Sequence, residues 1–222
     1  MKLSHPIFSE AFPLQDEKTN VIIIENGALF YSLMKELSLQ CEGKEGSFTL
    51  SDSIKALSVE KNIDFVGDMF GFSVNERKLA TKLLTCLSDK ALDDAHFAKT
   101  HELMSLIEQY ILELISDFDV SVHLENSIDI AMLLKAAPVT VSDICATLPE
   151  KICNYAKIEN EFFGKKVFAF VNLKQFLSEE DIEDIYKFFR YEKLCLLLFE
   201  GYQKYNSDNE HNLIIDKDMC II

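Results

Sequence analysis

The chain has 222 residues, of which 48% are hydrophobic and 27% are charged, values typical of a globular protein with an ample core. Its 22 basic and 37 acidic side chains give a formal net charge of −15. Such a charge repels nucleic acid and anionic membranes unless the charges are segregated or cations intervene. No apolar run approaches the roughly 20 residues that span a bilayer, and the N-terminus lacks a signal-peptide core, so the sequence predicts a cytoplasmic protein.

Three short apolar runs, far apart along the chain, predict buried strands of one parallel sheet. They lie at residues 20–25, 165–172 and 193–200, and polar residues border each run. Parallel neighbours are joined by crossover segments, which are usually helices. The sequence therefore predicts an α/β fold with a largely parallel sheet flanked by helices.

Helical periodicity dominates the middle of the chain. Ser73-Val-Asn-Glu76 has the spacing of a capping box before one helix, and further helices are predicted at about 95–116 and 128–136. We therefore predict a helical lobe of residues 60–137, with no strand of its own, inserted into an α/β domain of residues 1–59 and 138–222. After it, a helix is predicted over 142–160, with Pro149 as a point where it bends or splits, and another begins at Ser178.

Catalytic signatures are missing where the predicted fold would carry them. The turn after the first strand reads Glu25-Asn-Gly-Ala28 and lacks the Gly-x-x-x-x-Gly-Lys-[Ser/Thr] pattern that holds phosphates. Asn172 follows the central strand at the place where an acid would serve a metal ion. The five histidines are scattered, and no Gly-x-Ser-x-Gly motif is present. The sequence predicts no catalytic residues and no enzyme, and leaves open a phosphate-binding remnant of a P-loop protein.

The six cysteines form no Cys-x-x-Cys pair, and most lie within apolar stretches. We interpret them as buried, reduced thiols rather than as zinc ligands or a disulfide framework.

An acidic window lies between Lys99 and Lys135, where the chain has no Lys or Arg. Carboxylates without basic partners raise one another's pKa unless a hard cation neutralises them. One interpretation is a calcium site; the other is a solvated acidic face. The candidate calcium ligands are Asp117, Asp119, Glu125 and Asp129, with Glu113 as a further ligand. The window is not an EF-hand, because Val122 replaces the required glycine and Ile128 replaces the bidentate Glu.

Four motifs, in their order and spacing, resemble the short form of the ring-forming adaptation (spacer acquisition) protein of type II-A CRISPR systems. They read Asn20-Val-Ile-Ile-Ile-Glu-Asn, Asp68-Met-Phe-Gly-Phe-Ser-Val-Asn, Lys166-Val-Phe-Ala-Phe-Val-Asn and Leu213-Ile-Ile-Asp-Lys-Asp-Met-Cys-Ile-Ile. The resemblance implies a degenerate P-loop-like head and a helical leg. It also implies a homotetrameric ring that binds calcium and takes double-stranded DNA ends through its central hole without cleaving them.

The same resemblance implies work beside the integrase proteins and the effector nuclease, and it favours the calcium interpretation of the acidic window. Phosphate contacts carry no sequence information, so DNA binding is expected to be independent of sequence and dependent on salt. The lysines predicted to face the DNA flank the leg or belong to it: Lys55, Lys61, Lys78, Lys82 and Lys135. Two alternatives remain, a nucleotide-hydrolysing or nucleotide-sensing protein and a scaffold that only docks other adaptation proteins.

Overall fold

A computed structural model of the chain describes residues 1–15, 17–53, 55–74, 76–125, 127–142, 144–204 and 207–222. The chain forms two compact units. Met1–Val74 and Asp143–Ile222 make up the first, which we call the sheet unit, and Asn75–Ser142 makes up the second, which we call the helical unit. The helical unit is thus an insertion between two parts of the sheet unit.

Among its described residues, the sheet unit contains nine strands. They are β1 (Lys2–Ser4), β2 (Phe12–Pro13), β3 (Thr19–Ile24), β4 (Thr49–Asp52), β5 (Lys55–Leu57), β6 (Ile63–Val66), β7 (Val167–Val171), β8 (Cys195–Glu200) and β9 (Glu210–Ile215). Five of them pair in parallel in the order β6-β7-β8-β3-β9. The predicted α/β class and the parallel sheet are confirmed, and the three apolar runs are β3, β7 and β8.

Helices cover the parallel sheet on both faces. The sheet unit contains α1 (Gly27–Cys41), α2 (Val59–Asn62), α6 (Leu148–Phe163) and α7 (Glu179–Tyr191). Leu33 and Leu37 of α1 pack in one core cluster with Val167 and Ala169 of β7. Side chains alternate between the faces of a strand, and Phe168 contacts Phe189 of α7, which therefore lies on the opposite face.

A second, antiparallel sheet was not predicted. It has the order β2-β1-β4-β5 and packs into the same core as α1, through residues such as Leu3, Phe48 and Leu50. Gln40 joins α1 to the segment that leads into β4. Its carboxamide accepts the N–H of Phe48 at 3.0 Å and donates to the C=O of Phe48 at 3.1 Å.

The helical unit contains α3 (Glu76–Ala91), α4 (Phe97–Ser116) and α5 (Ile130–Ala136). The expectation that residues 60–137 lack a strand was wrong, since β6 pairs with β7 in the parallel sheet. The division at 74/75 and 142/143 accordingly differs from the predicted boundaries at 59/60 and 137/138. Ser73 does not cap α3, because the helix begins at Glu76, the residue predicted as the capping-box partner of Ser73; position 75 lies outside the described residues.

The remaining local predictions have mixed outcomes. Pro149 does not bend a helix but occupies its first turn, after Thr147 as the cap, since α6 begins at Leu148. Ser178 and Asp181 form the capping box that opens α7. All six cysteines are free thiols, but only Cys195 is fully buried, while Cys86 and Cys220 are exposed. Within the described ranges, none of the helices has the length and apolar composition that a membrane crossing requires.

Candidate functional site

The carboxyl edge of the parallel sheet is the first place to look for a site, because α/β proteins commonly bind ligands there. Asn172 follows β7 at this edge and adopts left-handed dihedrals, with φ 53° and ψ 33°. Its N–H donates to the C=O of Phe199 at 2.8 Å, and its Oδ1 accepts the N–H of Gly201 at 3.0 Å. The loops after β7 and β8 are therefore joined to each other by this asparagine.

The N-terminus of α1, where a P-loop protein would hold phosphate, carries its own side-chain cap. Asn26 Oδ1 accepts the N–H of Leu29 at 3.0 Å, and Asn26 Nδ2 donates to the C=O of Lys217 at 3.0 Å. A phosphate site would need these helix-end N–H groups to face a ligand. The geometry thus agrees with the missing phosphate-binding motif in the sequence.

A buried group of charged side chains lies between the parallel sheet and α7. Lys174 Nζ is 2.8 Å from a carboxylate oxygen of Glu210, and the hydroxyl of Tyr186 donates to Glu210 at 2.9 Å. The backbone N–H of Lys174 donates to Glu200 Oε1 at 3.0 Å. All four residues are buried, and Lys174 is only 1% exposed. The sequence analysis did not predict this cluster. Its only signal in the sequence was Glu200, the polar residue that ends the apolar run at 193–200.

Burial sets the titration of Glu200 in this cluster. Loss of hydration raises its pKa from 4.5 to about 7, although the N–H and ammonium groups of Lys174 favour the ionised form and Glu210 opposes it. The ionised carboxylate is therefore less favourable in the folded state than in the unfolded chain. Protonated Glu200 therefore contributes to the stability of the fold. The contribution is fully present below about pH 4.5 and is lost as the pH rises through about 7.

We expect the Glu200→Gln variant to be more stable than the wild type at pH 8, by at most about 3 kcal/mol, because the amide does not ionise. At pH 3, where Glu200 is protonated in both the folded and the unfolded state, the two proteins should melt at nearly the same temperature. Thermal unfolding at both pH values checks this, with exposed Glu45→Gln as the control. An equal difference in melting temperature at the two pH values would contradict the assignment.

Asp64 is a second buried carboxyl, on β6. Burial raises its pKa, while its hydrogen bond with Tyr155 and the ammonium of Lys165 lower it. Lys165 Nζ also donates to the C=O of Ile63 at 2.8 Å, so it fixes the start of the same strand. These contacts with Tyr155 and Lys165 stabilise the position of β6, so we assign Asp64 a structural role.

The structure places the five predicted calcium ligands on the exterior of the helical unit. Glu113 lies on α4, Asp117 caps its C-terminus, and Asp119 and Glu125 lie in the segment before α5. Asp129 caps α5, and its Oδ1 accepts the N–H of Met132 at 2.7 Å. Within the described ranges, no three His, Cys, Asp or Glu side chains are grouped closely enough to hold one metal ion.

Glu108, another acid of the window, also has a local role, because its carboxylate accepts the N–H of Ile128 at 3.0 Å. It thereby holds the segment before α5 against α4. Among the described residues the acidic side chains are not grouped at one point. The calcium site stays a prediction.

The five predicted DNA-facing lysines are all exposed. Lys55 lies on β5 and Lys61 in α2, both in the sheet unit, while Lys135 lies in the last turn of α5. Lys78 and Lys82 are one turn apart on the exposed face of α3, which also carries Arg77. The structure brings only this pair together within one element, and α3 is therefore the best-supported candidate for a phosphate contact.

A profile of the family described as "CRISPR-associated protein (Cas_Csn2)" matches residues 40–219 of the chain. The chain is 22% identical over 202 residues to the CRISPR-associated protein Csn2 of Enterococcus faecalis, and the match covers 90% of each protein. Two solved structures align with a TM-score of 0.38 and 10% identity. One, a putative ABC transporter ATP-binding protein from Pyrococcus furiosus, aligns over 96% of this chain and 97% of its own. The other, an ATP-binding cassette dimer bound to ADP and Pi, aligns over 91% and 88%. These two alignments are too distant to inform the site. Because the family profile covers well over half of its length, the chain belongs to the Csn2 family of CRISPR-associated proteins.

Proposed function

We propose that this protein acts in the cytoplasm during CRISPR spacer acquisition, as a homotetrameric ring that binds double-stranded DNA ends without sequence specificity and without cleaving them. Family membership is the observation that carries the proposal. The turn before α1 lacks the phosphate-binding motif, and the Asn26 side chain caps the helix there, which supports a binding role over nucleotide turnover. The proposed partners are DNA ends, further copies of the chain, the integrase proteins and the effector nuclease, with no membrane.

The outer surface of α4 supports self-assembly. Thr100, Met104, Ile107, Ile111 and Ile115 form its more buried stripe. A second apolar stripe points to solvent, with Leu103, Leu106, Tyr110 and Leu114 each between 46% and 60% exposed. Their spacing of three, four and four residues keeps them on one side of the helix. A contiguous apolar surface of this kind is typical of a protein–protein interface.

We expect Leu106→Gln combined with Tyr110→Gln to lower the solution mass from a tetramer to a smaller species, because polar amides weaken an apolar helix contact. Leu112→Gln is the matched control, since Leu112 is 52% exposed on α4 but lies on the opposite side from the stripe. Light scattering of the three proteins measures the effect. A tetramer that survives in the double variant would place the subunit interface elsewhere.

DNA-end binding and calcium dependence are tested together by gel shift. Linear duplex should be retained and closed circular duplex of the same sequence should not, and we expect a chelator to abolish retention and lower the solution mass. Equal retention of both DNA forms would reject end binding. A tetramer that ignores the chelator would reject the calcium prediction alone. DNA-independent ATP turnover would favour the nucleotide-hydrolysing alternative, and tight partner binding without DNA affinity would favour the scaffold.

A further inference from the structure

The loop after β6 exposes one phenylalanine to water, while three other apolar side chains of the same segment are buried. Phe70 is 83% exposed, whereas Met69, Phe72 and Val74 are between 6% and 8% exposed. Phe72 packs edge-on against Tyr155 and Phe170, with ring centroids 5.2 and 6.3 Å away. Phe70 is therefore exposed although buried side chains anchor the loop on both sides of it.

Local bonds fix the direction of this loop. Asp68 Oδ1 accepts the N–H of Phe70 at 2.9 Å, forming an Asx turn. An added Cβ at Gly71 would lie 2.5 Å from Asp68 Oδ2, so a larger residue there would displace the Asp68 carboxylate. An aromatic ring held outward by a fixed turn loses little conformational entropy when it binds.

A second aromatic ring joins Phe70 from the adjacent loop, which follows β7. Phe176 is 42% exposed, and its ring meets that of Phe70 edge-on with centroids 5.4 Å apart. The N–H of Phe176 donates to the C=O of Leu173 at 3.1 Å, and Lys204 Nζ donates to the C=O of Leu177 at 3.3 Å. Two anchored loops thus present one aromatic pair to solvent.

Acidic residues lie close to each of these two rings in the chain. Glu179 and Glu180 are exposed in the first turn of α7, three and four residues after Phe176, and Asp68 is exposed two residues before Phe70. The neighbouring ammonium groups have local partners, since Lys151 lies over the Phe72 ring at 4.2 Å and Lys204 bonds to backbone carbonyls. Lys174 is buried against Glu210. The exposed carboxylates on both loops, with the nearby ammonium groups engaged locally, favour a basic protein surface as the partner.

We propose that Phe70 and Phe176 form a docking site for a partner protein that presents an apolar pocket bordered by Lys and Arg side chains. The rings supply the buried centre of such an interface, and the carboxylates of Glu179 and Glu180 lie at its polar rim. The class of partner to be tested rests on the proposed function, which places the chain beside proteins that handle DNA.

The test measures binding of purified full-length protein to the integrase proteins and to the effector nuclease of the same CRISPR system, each by calorimetry. We expect Phe70→Ser combined with Phe176→Ser to raise the Kd for one of them by about 10- to 30-fold, as expected for aromatic anchors. Glu179→Lys combined with Glu180→Lys should raise the Kd of the same complex, because like charges would then face the basic border of the partner. Tyr191→Ser, which alters an aromatic side chain that is 82% exposed in the same unit, should leave the Kd within about twofold.

The same double-serine protein is tested for solution mass and for retention of linear duplex, which separates this proposal from the proposed function. Unchanged mass and unchanged DNA retention, with weaker partner binding, are the expected results. A fall in mass would assign the aromatic pair to subunit contacts, and a fall in DNA retention would assign it to the duplex; either overturns the proposal. Unaltered partner binding, or no binding of any of these proteins by the wild type, overturns it as well.

Discussion

Replacing Lys174 with methionine is expected to lower the free energy of unfolding by about 3–5 kcal/mol, a large effect for a single substitution. The ammonium of Lys174 lies 2.8 Å from Glu210, and their side chains are 2% and 0% exposed. Methionine fills a similar volume but leaves the Glu210 carboxylate buried with Tyr186 as its hydrogen-bond donor. Urea unfolding of the wild type and the variant at neutral pH measures this loss of free energy.

Two further variants separate loss of the ion pair from loss of packing. Lys174→Met combined with Glu210→Gln removes both charges and should recover a large part of the stability, because replacing a whole buried pair is far less harmful than breaking it. Lys187→Met removes an exposed lysine that pairs with Asp184 at 2.8 Å, and its effect should be far smaller than that of Lys174→Met. If Lys174→Met unfolded like Lys187→Met, the buried ion pair would be contradicted.

Reversing the charges of Lys78 and Lys82 is expected to lower affinity for linear duplex by at least about tenfold at moderate salt. The two ammonium groups lie one turn apart on the exposed face of α3, so both can reach one phosphate backbone. Loss of two phosphate contacts should also reduce the slope of log affinity against log salt by about 2. Titration of the Lys78→Glu/Lys82→Glu protein across a salt series measures both quantities.

The control for this pair must change the net charge equally without touching α3. Lys44 and Lys187 are exposed and lie in the sheet unit rather than on α3, and Lys44→Glu/Lys187→Glu makes the same change in net charge. If both double variants lost affinity to the same degree, the effect would come from overall charge, and α3 would not be the contact surface.

The parallel core of this fold could be predicted because its strands are buried on both faces. Such strands appear in the sequence as continuous apolar runs, and β3, β7 and β8 all lie at the centre of the sheet. The resemblance based on four motifs is likewise confirmed by the family profile. These features depend on residues that are close together in the chain.

Strand β6 was missed because its sequence, Ile63-Asp-Phe-Val66, is short and contains an acid. It exists because it can pair with β7, which lies about a hundred residues further along the chain, and because Asp64 has Tyr155 as a partner. The antiparallel sheet escaped prediction for a similar reason, since β2 and β5 have only two and three residues. Tertiary context decides such short strands.

The buried charged cluster and the roles of the acidic side chains were less predictable than the fold. Nothing in the spacing of Lys174, Glu200 and Glu210 indicates that the three side chains are buried together, because a 3-10 turn and two different strands bring them into contact. In the acidic window, Glu108 and Asp129 accept backbone N–H groups, a local role that composition alone does not distinguish from metal binding.

The most direct measurement of the central claim is an order-of-addition experiment with a linear duplex that carries biotin at both ends. If the protein loads as a ring over free ends, streptavidin added before the protein should prevent retention of the duplex. Streptavidin added after loading should trap the protein, so that it stays on the DNA through a high-salt wash that breaks phosphate contacts. Equal retention in both orders, with release by salt in each, would contradict encirclement of DNA ends.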